Sequence, residues 1–289
     1  MFNSQFSPCS NKARRQKLTI FLGVLFGLVM VNTFQAMAGN YELLTTINIK
    51  AKSITTDFLN NVYVISEDNK VMKYDSTGTL INTFSDNRYG AVTSVDATSP
   101  FNVVLFYKDF ATVVTTDMRL NTRRLYRLPS IGINNVAAVC LSYDNYLWVY
   151  DSDAARLKKI DANYTVVQQS PDLRNLLGEN INPNFLVERD GFIYLNIPGV
   201  GIILFDIYGT FYTSVSNTDI LNDQLSVFQV VQQKVVYLNE GSLFIYEISS
   251  REQDGIRLPI NGGVRDVKIE KGRLFILTDD KLQVYVQTG

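Results

Sequence analysis

Six apolar triplets recur along the chain at near-constant spacing, and this recurrence limits the possible folds more than any other feature. They are Val62-Tyr63-Val64, Val103-Val104-Leu105, Leu147-Trp148-Val149, Phe192-Ile193-Tyr194, Val235-Val236-Tyr237 and Leu274-Phe275-Ile276. Their central residues lie 41, 44, 45, 43 and 39 residues apart. A repeat of about 40 to 50 residues, built of short strands with turn residues between them, is the signature of propeller blades. The sequence therefore predicts an all-β, six-bladed β-propeller.

Each triplet opens the second strand of a blade. A third strand follows after a polar turn, and in four blades it ends on an aspartate: Asp75, Asp117, Asp161 and Asp206, with Glu247 at the fifth. A carboxylate there is expected to accept backbone N–H groups in the next turn, and Gly78 and Gly209, three residues on, fit a tight turn. Innermost strands are expected at residues 53–58, 92–97, 136–141, 184–188, 227–231 and 264–269. Outermost strands are expected at 80–84, 124–128, 165–169, 210–215 and 255–258. The sixth blade has no outermost strand of its own, and residues 41–49 form a strand with no local partner. That first strand is expected to complete the last blade and close the ring, which removes two exposed sheet edges.

Residues 1–38 read as a signal peptide. Lys12, Arg14, Arg15 and Lys17 make a basic start, residues 18–31 are an apolar run, and Ala36-Met37-Ala38 before Gly39 has the small-residue pattern of a cleavage site. The run falls short of the ~20 residues of a spanning helix. Cys9 precedes the run, so it is not a lipid-bearing cysteine. The expected location is the periplasm, with the extracellular space as the alternative, and the expected propeller domain is 39–289.

Cys140 then stands alone, in the apolar stretch 136–141, and reads as an inert buried thiol. Without the leader the chain carries 23 basic and 28 acidic residues, a net charge of −5. Nucleic-acid binding needs clustered cations to neutralise phosphates, so no nucleic-acid partner is expected. The clusters Arg119, Arg123, Arg124 and Arg156, Lys158, Lys159 read as solvated faces.

There is no histidine in the sequence. The commonest general base near neutral pH and the commonest transition-metal ligand are therefore both missing. Acidic residues recur in the turns between second and third strands, among them Glu67, Asp68, Asp109, Asp151, Asp153, Glu240, Asp279 and Asp280. No cofactor is expected, although hard oxygen ligands of this kind would suit Ca²⁺.

Two long blade-to-blade crossings, residues 171–183 and 217–225, carry leucine and isoleucine where polar residues are the default. Long loops in a compact domain are often functional. Leu173, Arg174, Leu176, Leu177, Ile220 and Leu221, with Arg88 and Tyr89 as a rim, are the candidate partner-binding residues. Asp172 is placed to cap a helical turn that presents the leucines together. The alternative is that the leucines fold down over the channel and join the core.

The blade pattern of apolar triplet, turn, and strand ending in Asp with Gly three residues later resembles NHL-type and related six-bladed propellers, over residues 41–289. The resemblance implies the fold and leaves the use open, since propellers serve as hydrolases, lyases, sensors and scaffolds. In size, leader and form the chain also looks similar to periplasmic propeller-like subunits of outer-membrane machinery, including a plug for a type IX secretion translocon. The expectation is an exported, non-enzymatic propeller docking on a protein, an outer-membrane protein or complex. A calcium-dependent hydrolase or lactonase is the first alternative. A sugar or peptide sensor, with Tyr107, Trp148 or Tyr150 lining a pocket, is the second.

Overall fold

Alternating apolar residues place one face of each strand on the neighbouring blade, and the turns between strands are short enough for antiparallel pairing. The computed structural model of the protein describes residues 41–179, 181–220, 225 and 228–288. The leader expected over 1–38 and the candidate Leu221 lie outside the described residues. The strands form six four-stranded antiparallel sheets, five of them consecutive in sequence, arranged as a six-bladed β-propeller.

Blade 1 shows the unit: Ala51–Thr56 innermost, then Val62–Ser66, Val71–Tyr74 and Leu80–Phe84 outermost. The expected innermost strand at 136–141 is Val136–Leu141, and the others have bounds that differ by at most two residues. Tyr41–Asn48 pairs antiparallel with Lys281–Gln287 and supplies the outermost strand of blade 6. This is the expected ring closure.

The predicted turn chemistry is present in four blades. Oδ1 of Asp75 accepts Thr77 N and Thr79 N at 2.8 and 2.9 Å. Asp117, Asp161 and Asp206 each accept the equivalent two N–H groups. The left-handed residue three places on is Gly78 or Gly209 in two of these turns and Leu120 or Tyr164 in the other two. Glu247 departs from the pattern and pairs with Lys234 at 3.0 Å.

The core lies between blades rather than at the axis. Trp148, Tyr150 and Cys140 of blade 3 pack against Leu186, Ile193, Leu195 and Phe205 of blade 4. Cys140 is buried and burial pushes its thiol well above its ordinary pKa, as expected of an inert cysteine. Lys159 corrects the solvated-face expectation. Its side chain is buried, 2.5 Å from Asp144 and over the rings of Tyr143, Tyr146 and Trp148.

Candidate functional site: the channel and its two faces

Innermost strands have one edge without a neighbouring strand, and their backbone N–H groups need acceptors at the channel wall. Side chains of the preceding blade supply them. Asp96 of blade 2 accepts Leu141 N of blade 3 at 2.7 Å. Asp266 of blade 6 accepts Ile54 N of blade 1 at 3.0 Å, and its other oxygen takes Lys268 Nζ at 2.6 Å. Gln229 of blade 5 accepts Ile269 N and donates to Ile269 O, both at 2.8 Å. Burial raises the Asp96 pKa, and bonds from Thr98 and Leu141 oppose the shift. The carboxylates that line the channel are thus engaged in joining blades.

The turns between second and third strands carry the recurrent acidic residues. Their carboxylates are used locally: Asp68 pairs with Lys70, and Asp151 with Lys158, both at 2.6 Å. Among the described residues no three His, Cys, Asp or Glu side chains gather to hold a metal ion.

The crossing residues divide. Leu173 and Ile220 are buried, in two different inter-blade clusters, and Leu177 packs half-buried against the first. Among the described apolar members of the candidate set, Leu176 alone is exposed, at 47%. The helical turn is Arg174–Leu177, with Leu173 rather than Asp172 at the cap position. Asp172 still accepts Arg174 N at 3.0 Å, and Arg174's hydrogen bonds hold its pKa down to about 2. The expected presentation of the leucines together therefore does not occur. A helical turn spreads successive side chains around its axis, and the inward ones meet the core. Arg88 and Tyr89 lie two crossings away in a separate recess with Phe110, Arg127, Pro129 and Ser130. Arg88 is bonded to Asp86 at 2.6 Å, and Tyr89 packs edge-on against Tyr107 at 5.6 Å. Trp148 and Tyr107 are core residues, as is Tyr150.

The opposite face, formed by the turns between first and second strands, was not singled out by the sequence. Those turns are linked in series from blade 6 through blade 1 to blade 5. Lys271 of blade 6 sits over the Phe58 ring at 5.4 Å, and Phe58 meets Phe101 of blade 2 at 6.2 Å. Asn102 bonds Asn145 of blade 3 at 3.3 Å. Tyr143 N reaches Glu188 of blade 4 at 2.8 Å, and Gln233 N of blade 5 reaches Asp190 at 2.9 Å. Leu59, Phe101 and Tyr143, one from each of three successive turns, are 47, 53 and 67% exposed. Tyr208 is exposed on the same face, in a turn between third and fourth strands.

Phe58 and Tyr143 also line a recess of about 520 Å³ on this face, with Ser99, Glu188, Arg189 and Ile207 among others. Arg189 also lines the channel beneath. Among the described residues its guanidinium makes no hydrogen bond: Glu270 lies 3.8 Å away, beyond that range, and the Arg189 charge also acts on Asp96. Glu188 by contrast is saturated, accepting Ser142 Oγ, Tyr143 N and Trp148 Nε1 at 2.8 Å each. The recess thus offers one guanidinium with free donors beside Phe58 and Tyr143. The signal missed in the sequence is the series Phe58-Leu59, Phe101 and Tyr143 in turns where polar residues are usual.

Neither any protein family nor any curated protein matches the chain. Solved structures do. The virginiamycin B lyase of Staphylococcus aureus is similar at TM-score 0.60 and 10% identity, covering 86% of this chain and all of that one. A streptogramin B lyase gives 0.59 and 11%, covering 86% and 98%. The WD40 domain of Neurospora crassa Pan2 gives 0.58 and 9%, covering 87% and 97%. A variant of the Staphylococcus lyase with one histidine replaced by alanine is described as catalytically inactive. At these identities the likeness shows the fold alone: the chain has the β-propeller fold.

Proposed function

We propose that this chain is an exported, non-enzymatic propeller that docks on a protein partner through the face of its first-to-second-strand turns. The observation that carries the reading is a recess lined by Phe58, Tyr143 and Arg189, with the exposed Phe101 packed on Phe58 and the exposed Leu59 next to it in the same turn. Aromatic residues and arginine dominate protein contacts, and apolar side chains exposed together mark such surfaces. The partner that fits is a protein segment with an apolar or aromatic side chain beside a carboxylate. The apolar group packs on Phe58 and Tyr143, and the carboxylate takes the free donors of Arg189 as a bidentate pair.

The non-enzymatic reading is supported by the lack of histidine, since the lyase it resembles in fold is inactive without one of its own. The engagement of Asp96 and Asp266 with backbone N–H groups supports it too. A calcium-dependent hydrolase gains no support, because no carboxylate cluster gathers among the described residues. Nothing in the fold or these neighbours supports a type IX secretion role. Export rests on the leader pattern of residues 1–38, and a mature N-terminus at Gly39, read by mass spectrometry of the secreted protein, tests it.

Site-specific photo-crosslinking in the native cell tests the docking. A benzophenone at position 101 is expected to yield one protein adduct that Arg189→Ala abolishes, while the same group at position 176, on the opposite face, yields none. Adducts only from position 176, or no adduct from either, overturn the reading.

A further inference from the structure

A second recess on the same face lies between blades 4 and 5, and its lining differs in kind from the docking mouth. It has a volume of about 530 Å³ and is bounded by Phe192, Tyr194, Tyr212, Gln232, Gln233 and Arg251 among others. Tyr212 is exposed and its ring packs against Phe192 at 4.7 Å between centroids. Tyr194 is fully buried, yet its hydroxyl has no hydrogen-bond partner among the described residues. An unpaired buried hydroxyl costs about 1–3 kcal/mol, and here it belongs to a residue that lines a cavity.

The turn at the rim is unusual in a way that comparison within the molecule exposes. Four two-residue hairpin turns have both residues at positive φ: Asp190-Gly191, Gln232-Gln233, Glu240-Gly241 and Lys271-Gly272. Three place glycine second, where it is free of strain. Gln232-Gln233, at φ 51° and 60°, does not. Holding ordinary residues in this region costs about 1–3 kcal/mol each, and such strain collects at functional sites. Neither amide side chain is hydrogen-bonded within the described residues. The turn places two glutamines, whose amides each donate and accept, at the rim of the recess.

We propose that this recess is a carbohydrate-binding site that takes a neutral pyranose unit of an oligosaccharide. Sugar hydroxyls both donate and accept, and so do the two glutamine amides and the hydroxyl of Thr213, whose strand partner Leu204 faces blade 5. The C–H face of a pyranose is apolar and flat, and the exposed Tyr212 ring supplies a matching platform. Charge at the rim is mixed: Arg251 lies beside Glu247, which is paired with Lys234. That balance selects no strongly charged ligand.

Saturation-transfer NMR with purified protein and maltotetraose, cellotetraose or chitotetraose tests the site. One of the three is expected to bind, with transfer strongest at ring C–H protons. Tyr212→Ala, and Gln232→Asp combined with Gln233→Gly, are each expected to weaken binding at least about tenfold. The second variant writes the blade 4 turn into blade 5, so its thermal midpoint is expected to match or exceed wild type. No transfer to any of the three at about 10 mM, far above the concentrations at which weak ligands register, overturns the proposal. So does binding that survives both variants. A peptide selected on the wild type and lost in the turn variant, with no sugar bound, assigns the recess to protein and also overturns it.

Discussion

Trp148 Nε1 donates to Glu188 Oε2 at 2.8 Å, so that the second strand of blade 3 is bonded to the innermost strand of blade 4 beside the recess that Tyr143 and Arg189 line. Burial raises the Glu188 pKa, and the bonds from Tyr143 and Ser142, the charge of Lys159 and the Trp148 bond oppose the rise without cancelling it. In the pH interval between its unfolded and folded values, the folded state keeps a proton that the unfolded chain releases. Stability therefore falls as pH rises through that interval and is lowest above the folded value. The stability advantage of wild type over Glu188→Gln is expected to shrink over the same interval. Urea unfolding of both proteins at several pH values checks it. Trp148 is the only tryptophan, so its fluorescence is expected to titrate above the ordinary carboxyl range in wild type and not in the variant.

Asp57 is a second buried carboxylate with every oxygen occupied. It accepts Leu59 N at 2.9 Å, Asn61 N at 3.0 Å, Tyr63 Oη at 2.9 Å and Asn61 Nδ2, with Lys73 Nζ 3.9 Å away. Removing it orphans buried donors and leaves the buried Lys73 ammonium with only Met118 O, at 2.9 Å, and the charge of Asp117. Asp57→Ala is expected to cost about 3–5 kcal/mol, read as a lower denaturation midpoint. Tyr63→Phe, which removes one donor and leaves the rest, is expected to cost about 1 kcal/mol.

The crossings give a contrast on a single helical turn. Leu173 is buried among Ala155, Leu157 and Leu186, whereas Leu176 points to solvent. Leu173→Ala is expected to destabilise by about 2–5 kcal/mol, and Leu176→Asp to lie within about 0.5 kcal/mol of wild type. Thermal unfolding of the two variants separates a covering role from an exposed one.

These elements show what could be read in advance. The triplet spacing and the period-2 alternation gave the blades, because both are properties of the strand itself. The closing strand was legible as well, since Tyr41–Asn48 has strand character but no hairpin partner. Which of Leu173, Leu176 and Leu177 faces the core depends on the few degrees at which the helical turn meets blades 3 and 4, and no local pattern encodes that. The exposed series of Leu59, Phe101 and Tyr143 comes from three turns about 42 residues apart in a repeat of that length, so it exists only once the ring is closed. The same holds for the Gln232-Gln233 turn, whose strain shows only in the φ angles.

Ring closure itself makes the last prediction. Gly78, in the turn after the third strand of blade 1, has φ +86°, and a Cβ added there would lie 2.7 Å from Thr45 Cγ2 on the closing strand. Thr45 stands opposite Val284, next to a bulge that separates it from Leu43. Gly78→Ala therefore combines a backbone cost of about 1 kcal/mol for a left-handed alanine with a clash against the strand that seals the propeller. Thr45→Ser removes Cγ2 and keeps the hydroxyl, so the double variant is expected to recover the clash and retain the backbone cost. The coupling between the two substitutions is expected at about 0.5–3 kcal/mol, as for residues in contact. It is measured by a denaturation cycle on the four proteins. Additive effects would mean that the turn of blade 1 and the closing strand are not in contact, and that the ring is sealed by the Tyr41–Asn48 ladder alone.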